Sequence, residues 1–483
     1  MTKNVLTVSP YKYYVNGEWK ESQSGQTIDI LSPYLHEVIG KVQAITKKEV
    51  DEAIRFAHES QQKWAEASLQ QRAAYLYKWA DELVNMQEEM AEIIMKEVGK
   101  GRKDAQKEVV RTADFIRYTI EEALHMHGES MRGDSFPGGV ASKLAITQRV
   151  PLGVVLAVAP FNYPVNLAAA KVAPALMAGN AVIFKPATQG SISGVKMIEA
   201  LDKAGLPKGL VNLVTGRGSV IGDYLVEHEG INMISFTGGT NTGVRLAERA
   251  KMIPLVLELG GKDPGIVCDD ADLHETASQI ISGAFSYSGQ RCTAIKRVLV
   301  HENVADELVS LLKAEVERLS VGSPEQESTI VPLIDDASAD FVQGLVDDAV
   351  QKGATVVTGN KRDRNLIYPT LLDHVTGNMN VAWEEPFGPV LPIIRVRTDD
   401  EAVQIANKSE FGLQASVFTK DINRAFAIAN KIDTGSVQIN GRTERGPDHF
   451  PFIGVKKSGM GAQGIRKSLE SMTREKVTVL NLA

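Results

Sequence analysis

The chain has 483 residues, 43% hydrophobic and 23% charged, with a formal net charge of −7. That length and composition predict a globular protein of two or three domains. The acidic balance argues against nonspecific nucleic-acid binding, while a few local arginines would still suffice for an anionic substrate. Two cysteines make no disulfide framework and fit a reducing cytosol, so a cytoplasmic location is expected. Residues 1–5 (Met-Thr-Lys-Asn-Val) lack the apolar core of a signal peptide. No run approaches the ~20 apolar residues that span a bilayer. The nine histidines show no HxxxH or Cys/His spacing, so no metal is expected.

Apolar residues at helical spacing cover 49–67, 70–98 and 104–127, with Gly99-Lys100-Gly101 separating the second helix from the third. From Gly153 the rhythm changes. Strand-like runs at 153–159, 181–185, 210–214, 231–236 and 255–257 alternate with helical ones at 165–178, 191–204, 220–228 and 243–252. That alternation predicts an α/β fold, a parallel sheet with helices on both faces. Such sheets bind ligands beyond the carboxyl ends of their strands. A second α/β unit restarts with a helix at 271–286, a strand at 296–301, helices at 304–319 and 336–352, a strand at 354–357 and helices at 401–407 and 423–432. The tail, 476–482, alternates like an edge strand whose partner is expected to be remote, another subunit being one option.

Cys292 sits in Ser-Tyr-Ser-Gly-Gln-Arg-Cys-Thr over 286–293. A thiol attacks as the thiolate, and the adjoining Arg291 would lower the cost of that charge. Cys292 is therefore a candidate nucleophile, against the ordinary alternative of a small buried residue; Cys268, ending Gly265-Ile266-Val267-Cys268, reads as core. Glu258 ends an apolar run ahead of Gly260-Gly261. It is either a solvated acid or, with its pKa raised by burial, a general base. Asn162, in Asn162-Tyr163-Pro164 after the strand at 153–159, is either a turn residue or an amide donor to an oxyanion. Nucleophile, base and amide donor are the parts that covalent chemistry on a carbonyl requires.

Gly238 and Gly239 follow a strand and open a helix, which suits a backbone that approaches a pyrophosphate, although the spacing is not GxGxxG. The carboxylate that selects NAD at such a strand end is absent after 181–185. Lys185 and Thr188 stand there instead, and a cation with a neutral hydroxyl tolerates a 2′-phosphate, which points to NADP. Among the arginines, Arg291 adjoins the nucleophile, and Arg442 and Arg445 fall in an irregular loop of the kind that often carries function.

From Tyr14-Val15-Asn16-Gly17-Glu18-Trp19 to the tail, the chain resembles the aldehyde dehydrogenase superfamily. The resemblance is carried by Phe161-Asn162, Lys185-Pro186, Phe236-Thr237-Gly238, Glu258-Leu259-Gly260-Gly261-Lys262, Gly289-Gln290-Arg291-Cys292 and Glu384-Glu385-Pro386-Phe387-Gly388-Pro389. Within the superfamily the likeness is greatest to the non-phosphorylating, NADP-dependent members that act on glyceraldehyde 3-phosphate. Its signs there are Pro160-Phe161-Asn162-Tyr163-Pro164-Val165-Asn166-Leu167, Thr188, and the loop from Arg442-Thr443-Glu444-Arg445 to Phe452.

The resemblance implies a Rossmann-like cofactor domain (1–137 and 159–258), a catalytic α/β domain (259–460) and a small β oligomerisation extension (138–158 and 461–483), assembled as a homotetramer. It implies Cys292 as nucleophile, Glu258 as the base for water, and Asn162 with the Cys292 backbone N–H as oxyanion hole. Lys185, Thr188, Asp223, Gly238, Gly239 and Glu385 would hold NADP, and Arg111, Tyr163, Arg291, Thr293 and Arg445 the substrate. Gly239 stands where Phe-Thr-Gly-Ser has serine. Three rivals remain: an enzyme for another aldehyde such as succinic semialdehyde; a CoA-acylating relative, which would need no water-activating Glu258; and a non-catalytic dinucleotide-binding protein.

Overall fold

The computed structural model describes residues 10–482, so the reading of residues 1–5 lies outside the described residues. Helix α1 (Lys47–Glu66) starts at Thr46, where Thr46 and Glu49 form a reciprocal capping box. Ser68 and Gln71 do the same for α2 (Leu69–Asn85). α3 (Gln87–Val98) ends on Gly99, left-handed at φ 70°, and α4 (Arg102–Leu124) follows. The spacing predicted one helix over 70–98, but the structure breaks it at buried Met86 (φ −96°, ψ 7°). The Met86 N–H closes the last turn on Glu82 and its carbonyl opens the next on Met90, so the apolar period runs on across the break.

The first sheet has eight strands. Its parallel centre runs Val211–Leu213, Ala181–Lys185, Val154–Val158, Met233–Thr237, Leu255–Glu258. Chain order along it reverses between Val154–Val158 and Met233–Thr237, the switch point at which such sheets bind ligands. α5 (Asn166–Met177), α6 (Ser191–Lys203), α7 (Gly218–Glu227) and α8 (Thr240–Arg249) connect these strands. α5 is buried on every side, which its near-continuous apolar sequence requires. α8 begins at Thr240 rather than 243, which sets Gly238 and Gly239 directly before its first turn.

A seven-stranded sheet forms the second α/β unit, with Pro264–Val267 and Arg297–His301 adjacent at its middle. α9 (Leu273–Phe285) leads from the first of these toward the second. Cys268 is buried there, as expected. The tail strand, Thr473–Asn481, pairs antiparallel with Lys143–Pro151 of the same chain, a partner remote in sequence. Lys143–Pro151 is too exposed to show an apolar run. Val154–Val158 is central to the first sheet, paired with Ala181–Lys185 on one side and Met233–Thr237 on the other. Among the described residues no helix is long and apolar enough to cross a membrane, and no cluster of three His, Cys, Asp or Glu could hold a metal.

Candidate active site

The loop carrying Cys292 is fixed by its backbone. Tyr287, Ser288 and Gly289 have φ of 53°, 54° and 71°, a left-handed run that persists only where the surroundings hold it. Ser288 Oγ donates to the Val331 carbonyl and accepts from the Val331 N–H, both at 2.7 Å. The Tyr287 hydroxyl donates to the Val98 carbonyl at 2.7 Å. A side chain on Gly289 would put its Cβ 2.6 Å from the Gly388 carbonyl oxygen. Cys292 emerges half-buried on the wall of a cavity of ≈ 750 Å³ at the switch point.

Burial pushes the Cys292 thiol up to about 11; Lys296 and Arg445 pull it down, and Glu258 and Glu385 push it up. Arg291 is not among these charges. Its guanidinium turns back to donate to the Gly283 carbonyl in α9 and is buried away from the cavity lining. Adjacency in sequence does not carry over to the side chains, because in this tight turn Arg291, the residue before Cys292, sends its guanidinium to Gly283. The cation that does reach the nucleophile loop is Lys296, whose Nζ donates to the Cys292 carbonyl and pairs with Glu385 at 3.0 Å.

Asn162 follows Val154–Val158, as the sequence predicts. Its Nδ2 donates to the Gln290 carbonyl at 2.9 Å, which fixes the side chain beside Cys292 and uses one of its two hydrogens. Glu258 ends Leu255–Glu258 and is buried, but not alone. Arg445 Nη1 lies 2.9 Å from both carboxylate oxygens, and Thr237 Oγ1 donates to one of them at 2.9 Å. Thr237 accepts in turn from Lys171 Nζ at 2.7 Å, a lysine that burial pushes down to about 8.

Arg445 is backed by Gln463 Oε1 at 2.9 Å and lies over the Phe452 ring. Arg111 forks onto Asp448 at 2.7 and 2.8 Å and donates to the Arg445 carbonyl at 2.9 Å, so the two arginines share one corner. The Tyr163 ring lies under Lys100, whose buried ion pair with Glu108 fixes the start of α5 through Glu108 bonds to the Val165 and Asn166 N–H groups. Thr293 is buried, its carbonyl accepting from Thr443. Arg442 pairs with Glu444 and Ser282 instead of facing the cavity.

The cavity continues from Cys292 into an apolar slot between α7 and α8, walled by Leu225, Val226 and Leu246. Lys185 and Thr188 line it at the end of Ala181–Lys185, and Gly238, Gly239 and Glu385 line it nearer Cys292. A Cβ on Gly260 would fall 2.0 Å from Glu385 Oε2 and one on Gly238 2.6 Å from the Phe236 ring, whereas at Gly239 it would meet nothing. The missing serine therefore leaves open space. Asp223, also on the lining, is bound to Arg245 across the mouth of the slot. Burial pushes Lys185 down to about 8, and its Nζ donates to the Pro186 carbonyl.

Sequence reasoning missed Glu97. This buried carboxylate accepts from the Gly190, Ile192 and Ser193 N–H groups at 2.7–3.0 Å and so occupies the N-terminus of α6, beside Thr188. It missed Lys171, Lys296 and Gln463 as well. Only Lys171, a lone charge in the apolar run of α5, carried a signal that could have found it.

The fold and this site define an aldehyde dehydrogenase: the chain belongs to the aldehyde dehydrogenase family, whose model matches residues 19–478. It is 52% identical to the NADP-dependent glyceraldehyde-3-phosphate dehydrogenase of Streptococcus equinus, over 98% of this chain and 99% of that one. It is 51% identical to the protein of the same name from Arabidopsis thaliana, over 99% and 97%. The crystal structure of NADP-dependent glyceraldehyde-3-phosphate dehydrogenase from Bacillus halodurans C-125 complexed with NADP is similar at a TM-score of 0.97 and 60% identity, covering 98% of this chain and 100% of that one.

Proposed function

We propose that the chain oxidises D-glyceraldehyde 3-phosphate to 3-phosphoglycerate with NADP and water, without inorganic phosphate. The observation that carries this is the corner shared by Arg111 and Arg445 at Glu258, two guanidinium groups of the kind that pair bidentately with a phosphate. The full-length similarity to enzymes of that name supports it.

Cys292 attacks the aldehyde carbon as thiolate. The second Nδ2 hydrogen of Asn162 and the Cys292 N–H stabilise the resulting oxyanion, an effect of ~3–4 kcal/mol per donor. NADP, when bound, supplies the hydride acceptor, and Lys185, Thr188, Gly238, Gly239 and Glu385 would hold it, with Asp223 acting through Arg245 at the slot's mouth. Glu258 then takes a proton from water as the oxygen bonds to the acyl carbon, and the thiolate leaves. Arg111, Tyr163 and Arg445 would receive the substrate; Arg291 supports the nucleophile turn through Gly283.

The cofactor domain would comprise 1–137 with the sheet strands from Val154 to Glu258, and the extension 138–151 with 461–483. A cytoplasmic homotetramer completes the reading. The half-exposed Val477 and Val479, on one face of the tail strand, favour a covered face.

The test is an aldehyde panel run with both cofactors. Glyceraldehyde 3-phosphate with NADP should exceed succinic semialdehyde and unphosphorylated glyceraldehyde by more than about tenfold in kcat/KM, ~1.4 kcal/mol. Equal rates would favour a general aldehyde dehydrogenase, and no cofactor reduction with any aldehyde would favour a binding protein.

Cofactor choice has its own test. Glu97 already fills the N-terminus of α6, so a 2′-phosphate there depends on the side chains of Lys185 and Thr188. Thr188→Glu should shift the NADP/NAD ratio of kcat/KM toward NAD by about tenfold or more, because a carboxylate accepts the ribose hydroxyls and repels the phosphate. An unchanged ratio would remove Thr188 from the site.

A further inference from the structure

We propose that Arg445 holds Glu258 inactive until a substrate phosphate draws the guanidinium away, so that the group which binds the substrate also releases the general base. The proposal rests on the reading that the substrate is phosphorylated.

The pair is enclosed, with side chains 14% and 6% exposed. Arg445 Nη1 covers both oxygens of Glu258 at 2.9 Å, and Thr237 takes a further lone pair. With both oxygens engaged, Glu258 must give up a hydrogen bond before it can take a proton from water. Arg445 also contacts Gln463 and the Phe452 ring, which do not depend on Glu258 and can tether it while its guanidinium changes partner. Arg111 is matched in the same way, with Asp448 on its fork. Each guanidinium thus carries a protein carboxylate where a phosphate would sit.

The charged groups around Glu258 are few. Arg445 comes from the loop 440–451, and Lys171 comes from α5 but reaches it only through Thr237. Cys292 faces it, with Lys296 and Glu385 behind the nucleophile loop and Asp448 4.0 Å from Arg445 Nε. Only Arg445 pairs with Glu258 directly. A phosphate dianion competes for a guanidinium better than a monoanionic carboxylate does. With Arg445 drawn off, Glu258 keeps Thr237 alone. It can then accept the proton of a water whose oxygen bonds to the acyl carbon while the carbon–sulfur bond breaks and Cys292 departs as thiolate.

An aldehyde without phosphate would acylate Cys292 yet leave the gate closed. Single-turnover hydrolysis of the acyl-enzyme, followed by quenching and intact-mass spectrometry, measures this with D-glyceraldehyde and with glyceraldehyde 3-phosphate. In the wild type the unphosphorylated adduct should hydrolyse at least about tenfold more slowly, within the range a general base contributes. Arg445→Gln should speed hydrolysis of the unphosphorylated adduct and weaken binding of the phosphorylated aldehyde. Arg445→Lys, which keeps a charged donor beside Glu258, should leave hydrolysis of the unphosphorylated adduct slow. Slower or unchanged hydrolysis of the unphosphorylated adduct in Arg445→Gln would overturn the gate while leaving the substrate reading standing. A wild type that binds and acylates with both aldehydes equally well would overturn both.

Discussion

Cys292→Ser abolishes turnover, by at least about 10³-fold or ~4 kcal/mol in barrier terms, while cofactor binding stays within a few-fold of wild type. The thiol is already costly to ionise, because burial holds it at about 11 against the pull of Lys296 and Arg445. A serine hydroxyl is a far weaker acid and needs a dedicated base. The carboxylate nearest in role, Glu258, is occupied by Arg445 and Thr237. The proposed cofactor surface would lie mostly along the slot between α7 and α8, away from the substituted atom. Cofactor reduction with glyceraldehyde 3-phosphate, alongside a cofactor titration, checks both halves. Retention of more than about a tenth of the wild-type rate, under ~1.4 kcal/mol, would take the nucleophile's role from Cys292. The raised thiol also sets the pH dependence of the free enzyme. Alkylation by iodoacetamide should rise about tenfold per pH unit through the neutral range and level off only near 11, because the thiolate is the reactive form.

The places of Asn162 and Glu258 in the fold were legible in the sequence for a structural reason. Asn162 and Glu258 sit at or just past the carboxyl ends of parallel strands, and such strands show as buried apolar runs, so their ends can be read. The glycines at 238 and 260 carried a similar signal, since a side chain at either would collide with Phe236 or Glu385. What remained hidden depends on where side chains turn and on pairs remote in sequence. Glu258 and Arg445 lie 187 positions apart, and nothing in either segment announces the ion pair. Arg291 looked like the thiol's partner because it is next to it, yet a turn sends the guanidinium to Gly283 and leaves Lys296 to reach the Cys292 loop. The break at Met86 hid because it preserves the apolar period, and the partner of the tail strand hid because Lys143–Pro151 is half solvated.

Glu258→Ala separates the two halves of the reaction. The thiohemiacetal and thioester still form, and hydrolysis then slows by about 10²–10⁴-fold, the range for loss of a positioned general base. The observable is a single burst of reduced cofactor close to one per active site, then a stall, with the acyl adduct on Cys292 seen by intact-mass spectrometry. Electrostatics argue that the first half survives. Glu258 is one of the charges that push the Cys292 thiol up, so removing it lowers the thiol's pKa and increases the thiolate fraction at neutral pH. Alkylation of Cys292 at pH 7 should therefore be faster in the variant than in the wild type. Arg445 loses its carboxylate but keeps Gln463 and the Phe452 face, so it stays in the corner and is free for a phosphate from the outset. Glyceraldehyde 3-phosphate should accordingly acylate at lower concentration in the variant than in the wild type. Absence of the burst would mean that Glu258 also removes the thiol proton before the thioester forms. Its role would then begin one step earlier than the hydrolysis assigned to it.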